Sequence, residues 1–138
     1  MTFDDCQRAI KKGDVITLRR ALDAGEVNPN LGNRLSWTLL MMAALEGNTR
    51  VAQLLLERGA AVNAVNDFGD SALSLAAHKG HIPLLLLLLN NGASTDVRPH
   101  GWSLRALLEG ASGLPPAKIA SIMEIIDGAK RDRNELAP

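Results

Sequence analysis

Aromatic residues are scarce in this chain of 138 residues: two Trp, two Phe and no Tyr, 3% of the total. A core short of rings must be filled by smaller side chains, and Ala and Leu supply them, as in helical proteins with tight helix–helix contacts. Cysteine is almost missing too. Cys6 stands alone, which excludes an intrachain disulfide and a thiolate zinc cluster and suits a reducing compartment. No excess charge of either sign exists: Lys+Arg and Asp+Glu are both 15, so the basic footprint of a nucleic-acid binder is absent. No apolar run approaches the about 20 residues of a membrane span. The run "HIPLLLLLLN" holds six leucines, Leu84 to Leu89, and stops at Asn90, Asn91 and Gly92. The N-terminus has two acids, Asp4 and Asp5, instead of the basic start and apolar stretch of a signal peptide. These absences predict a chain without a membrane segment, placed in the cytoplasm, with the nucleus as the alternative.

What is present is a repeat. Glycine pairs twelve residues apart recur as Gly13/Gly25, Gly47/Gly59 and Gly80/Gly92, at steps of 34 and 33 residues. Upstream, "TLLMMAALEG" (38–47) matches "SALSLAAHKG" (71–80). Several matched features at one period identify an array of small units, each too small to bury its apolar face alone.

Each unit reads as two short helices. Thr38 and Ser71 can cap the first helix through their hydroxyls. Ala43/Ala44 and Ala76/Ala77 allow neighbouring helices to approach closely. Gly47 and Gly80 suit a C-terminal stop with positive φ. Pro83 stands where the second helix begins, where a missing N–H costs nothing. Gly59 and Gly92 then end that helix. This pattern resembles the ankyrin repeat, with "SALSLAAHKGH" and "LLERGAAVN" the nearest stretches to its consensus. Ala72 and Leu39 replace the consensus proline, and Ser74 and Met41 its histidine, which reduces that polar network. The resemblance implies an all-α solenoid of about four helix-turn-helix units joined by short hairpin loops, with degenerate capping units at both ends. The units fall at about 2–30, 33–65, 66–98 and 99–130, within a single domain over 1–130. The start methionine and both caps suggest a complete chain.

The last unit departs from the period. Gly113 and Pro116 fall 33 residues after Gly80 and Pro83, but the closing glycine, Gly128, comes three residues late. A final helix one turn longer is expected, with Ile119, Ile122, Met123 and Ile126 on one face. Trp102 and Ser103 have no single consensus position. The charged segment 131–138 is expected to be a flexible tail; "KRDR" (Lys130 to Arg133) is a weak match to a nuclear-import or nucleic-acid patch.

The leucines can now be sorted. At about 100° per residue, Leu84, Leu85, Leu87 and Leu88 share a face and align with the core positions Val51, Ala52, Leu54 and Leu55. Leu86 points away, aligned with Gln53 and Arg19. It is either a solitary exposed leucine or a partner contact on the outer helix layer.

Catalytic signals are missing. No phosphate loop, nucleophile elbow or zinc-ligand spacing occurs, and Cys6 takes a core leucine position. His78 and His81 are three apart, but Gly80 between them predicts a helix end, and His81 matches a structural histidine of the family. No enzyme activity, cofactor or metal is expected. The resemblance implies protein binding through the hairpin tips and the concave face. Residue by residue, those positions are Lys11 and Lys12 in the first unit, and Arg34, Leu35, Trp37, Leu45 and Glu46 in the second. The third contributes Asp67, Phe68, Asp70, His78 and Lys79, and Trp102 lies at or near the last tip. Placing both tryptophans and one phenylalanine at exposed tips favours binding, since few side chains bury so much area with so few rotatable bonds. The expectation is a monomeric adaptor or inhibitor that binds another protein, with no nucleic acid and no membrane as partner. The alternative is a structural subunit that self-associates or joins a complex through the outer layer near Leu86.

Overall fold

The computed structural model describes residues 1–136, with side chains through residue 133. Eight α-helices follow one another: α1 (Phe3–Lys12), α2 (Val15–Asp23), α3 (Leu39–Glu46), α4 (Thr49–Glu57), α5 (Ala72–Lys79), α6 (Ile82–Asn90), α7 (Leu104–Ala111) and α8 (Pro116–Leu136). Pro99–Gly101 forms a short 3-10 turn before α7. The helices pair as hairpins. The first members, α1, α3, α5 and α7, stack in one layer, and the second members, α2, α4, α6 and α8, in another. The fold is the all-α helix-turn-helix solenoid that the resemblance implies.

Local signals set the helix ends. Thr38 and Ser71 accept hydrogen bonds from the backbone N–H groups of Met41 and Ser74. Asp14 and Asn48 cap α2 and α4 in the same way through Thr17 and Val51. Each such bond satisfies a backbone donor that the helix itself cannot. Gly47 adopts φ 67°, and a Cβ there would come within 2.7 Å of the His81 ring. Both left-handed backbone and close packing therefore require glycine. Pro83 occupies the first turn of α6.

The core runs along the stack between the layers. Helix α3, at its centre, buries Leu39 through Ala44 without a break. Cys6 lies inside with the leucines, and burial pushes its thiol pKa up. In α6, Leu84, Leu85 and Leu88 are buried and Leu86 is 44% exposed. Leu87, expected in the core, is half-buried at its edge.

Side-chain clips join successive units. Asn30 donates to the Gly59 carbonyl and accepts from the Ala61 N–H, while Asn63 makes the same pair to Gly92 and Ser94. Arg58 reaches back to Asp23 at 2.9 Å.

The last hairpin corrects two expectations. Helix α8 does not stop at Gly128 but continues to Leu136, so residues 131–136 are helical; residues 137–138 lie outside the described part. Gly128 lacks positive φ, and a Cβ there would meet only the Arg131 side chain, at 3.9 Å, so nothing there turns the chain. The buried residues Ile122, Met123 and Ile126 repeat the spacing of Leu84, Leu85 and Leu88, but one helical turn farther from the helix start. The extra length therefore lies at both ends of α8.

Candidate protein-binding surface

The hairpin tips are built by two asparagines. Asn33 accepts from the N–H groups of Leu35 and Trp37 at 3.0 and 3.1 Å. Asn66 accepts from those of Phe68 and Asp70 at 2.9 and 3.0 Å. Such Asx turns fix loop backbone without help from a sheet. Neighbouring tips are also tied directly. Asp67 N–H donates to the Leu35 carbonyl at 3.0 Å, and His100 N–H to the Phe68 carbonyl at 2.7 Å. The result is a row of Leu35, Phe68 and His100, one residue per tip, with the Phe68 and His100 rings 5.6 Å apart.

Leu35 and Phe68 are 46% and 42% exposed, and Trp102 is 54% exposed. Arg34 and Asp67 are exposed beside them. On the adjoining inner face, the last turns of α1, α3 and α5 present Lys11 and Lys12, then Glu46, then Lys79. The structure thus brings most of the expected residues onto one surface of mixed charge.

Four residues depart from that expectation. Asp70 is buried; its carboxylate accepts from the Ser74 hydroxyl at 3.0 Å and lies 3.7 Å from the His100 ring. It holds the tip together and is not presented to a partner. Trp37 is half-buried and packs against the core, with its backbone N–H held by Asn33. Leu45 and His78 are half-buried as the helix stack closes around them. The His78 Nδ1 atom has no hydrogen-bond partner among the described residues. Conversely, His100 is a tip residue that the sequence reading did not place. Its signal was the match to Phe68 one unit earlier, hidden because the third tip is one residue shorter.

That deletion also places Trp102 and Ser103. Ser103 caps α7 by accepting from Ala106 N–H at 3.2 Å, so it is the counterpart of Thr38 and Ser71. Trp102 then corresponds to Trp37 and Asp70, and its ring lies over Gly110 of α7.

His81 serves the fold. Its Nε2 lies 3.3 Å from the Leu45 carbonyl and its ring covers Gly47. Among the described residues, no group of three His, Cys, Asp or Glu side chains is arranged to hold a metal, and no helix is long and apolar enough to cross a membrane.

Comparison with known proteins agrees with this architecture. A family profile of ankyrin repeats in three copies matches residues 7–99. The chain is 48% identical over 63 residues to the human ankyrin repeat and KH domain-containing protein 1, across 44% of this chain and 2% of that protein. It is 32% identical over 90 residues to YahD of Escherichia coli (strain K12), itself named an ankyrin repeat protein, across 62% of this chain and 45% of that one. A third relative, the E3 ubiquitin-protein ligase KEG of Arabidopsis thaliana, is 35% identical over 108 residues, across 73% of this chain and 7% of the ligase. The chain therefore spans less than half the length of each of these relatives.

Proposed function

Since the chain belongs to the ankyrin-repeat family, whose repeats are in general protein–protein interaction modules, we propose that it is a non-catalytic adaptor or inhibitor acting in the cytoplasm. It binds another protein through its tips and inner face. The observation that carries this reading is the tip row. Leu35 and Phe68 stand exposed on backbone that two asparagine turns and two tip-to-tip hydrogen bonds hold in place. Apolar side chains on rigid backbone lose little entropy on binding, which is what an interface anchor requires. Trp102 extends the row at its C-terminal end. Arg34, Asp67, Glu46 and Lys79 form a rim of both signs, suited to a protein surface rather than a polyanion.

The alternative is assembly through the outer layer around Leu86, whose 44% exposure supports it. Affinity capture with quantitative mass spectrometry separates the two. A Leu35→Ala/Phe68→Ala variant that stays folded should lose the specific partner of the wild type, by about thirtyfold in affinity for a two-anchor loss. Leu86→Gln should keep it. The reverse pattern, or a dimer in light scattering that Leu86→Lys dissolves, would support the subunit reading instead.

A further inference from the structure

The outer layer carries a second surface, well separated in sequence from Leu86. An open groove of about 970 Å³ runs between α2 and α4. Its origin is readable in the repeat. The core position held by Leu54 in α4 and Leu87 in α6 is Arg20 in α2, so no apolar side chain fills the space between the first two units there. One step earlier, Gln53 and Leu86 correspond to Arg19, and Arg50 corresponds to Ile16.

Ile16 is 74% exposed, the largest value among the exposed large apolar side chains described. Arg19, Arg20 and Arg50 line the groove around it. Among the described residues, none of the three arginines makes an ion pair. The two carboxylates of the lining, Asp23 and Glu57, are both engaged by Arg58, at 2.9 and 3.7 Å. The groove therefore has three uncommitted guanidinium groups and no uncommitted carboxylate beside an apolar floor. In a chain of zero net charge this is a local concentration of positive charge.

We propose that this groove docks an acidic, leucine-bearing helical segment of a partner protein, independently of the tip row. Guanidinium groups bind carboxylates in planar, two-pronged pairs. An aliphatic side chain of the partner covers Ile16, with its acidic side chains on Arg19, Arg20 and Arg50. Helices α2 and α4 are nine residues each, about 13 Å long, so the segment contacts the groove over two to three turns. A nucleic-acid backbone fits less well, because phosphates gain nothing from the apolar surface of Ile16.

The probe is a fluorescent twelve-residue helical peptide with a leucine stripe flanked on both sides by glutamates. Wild type is expected to bind it saturably, with affinity falling about tenfold or more in Arg19→Glu/Arg50→Glu and in Ile16→Asp. Leu35→Ala/Phe68→Ala should bind it as wild type does, which keeps this test separate from that of the tip surface. Circular dichroism establishes that each variant is folded; all three sites are exposed, so none should unfold the chain. Equal binding of a polyglutamate peptide without leucine, or of a single-stranded oligonucleotide, would reveal a general polyanion patch and overturn the proposal. So would an absence of saturable binding, or binding that the groove variants leave unchanged.

Discussion

The two central units and the last one solve the same packing problem with different means. In the centre, asparagines, hydroxyl caps and glycines recur at 33 residues, and each makes the same bond in both units: Asn30 and Asn63 clip, Asn33 and Asn66 turn, Thr38 and Ser71 cap. In the last unit the cap survives as Ser103 and positive-φ glycines as Gly101 and Gly113, but the asparagines are gone. Pro99 replaces the tip asparagine, and Asp96, the counterpart of Asn63, makes no side-chain clip among the described residues. What remains is burial of Ile122, Met123 and Ile126 on a helix of 21 residues. Polar register is strict where a unit has neighbours on both sides. A terminal unit has one neighbour, and a single apolar stripe suffices to dock it.

The largest effect should come from the shared element, the apolar stripe. Leu88→Ala is expected to cost about 2–5 kcal/mol in urea unfolding, and Ile126→Ala a loss in the same range, since both side chains are fully buried. Leu86→Gln, on the exposed side of the same helix as Leu88, should change stability by about 0.5 kcal/mol or less. A small loss at Ile126 would show that α8 is an appendage rather than a terminal unit. Equal losses at Leu86 and Leu88 would overturn the helix phase.

Next in size is Gly47→Ala, where alanine must adopt φ 67° and displace the His81 ring from 2.7 Å. Strain of this kind costs about 1–3 kcal/mol. Asn63→Ala should then cost about 1–2 kcal/mol, the sum of two partly solvated hydrogen bonds. Asp96→Ala should be close to neutral. Thermal unfolding of the two alanine variants side by side tests the contrast between centre and end directly; equal losses would mean that the last unit is clipped as tightly as the others.

This contrast also decides what was legible in the sequence. Helix pairs, caps and the phase of the leucines followed from spacing, because the central units obey one period. The tip positions of Leu35 and Phe68 came instead from the resemblance to the ankyrin repeat. Asp70 and Trp37 are less exposed than their place at a tip implied, because position does not determine side-chain direction: the Asp70 carboxylate accepts from Ser74, and the Trp37 ring packs on the core. His100 escaped because a one-residue deletion broke the period before it. The arginine groove was visible as Arg19–Arg20 in place of Gln53–Leu54, but it reads as a gap only once α2 and α4 are seen side by side.

One expected effect is a gain. Gly128 was assigned as a helix stop, yet it lies well inside α8, without positive φ, and a Cβ there would touch only the Arg131 side chain at 3.9 Å. Glycine inside a helix costs about 0.5–1 kcal/mol relative to alanine, through backbone freedom lost on folding. Gly128→Ala should therefore stabilise the chain by about that amount, visible as a rise of a few degrees in Tm and as slower amide exchange over residues 125–133. The sign is opposite to that of Gly47→Ala, although both glycines come from the same repeat pattern. If Gly128→Ala lowers Tm, or if exchange beyond it stays fast, the chain turns at Gly128 as its spacing suggested and the last helix ends there.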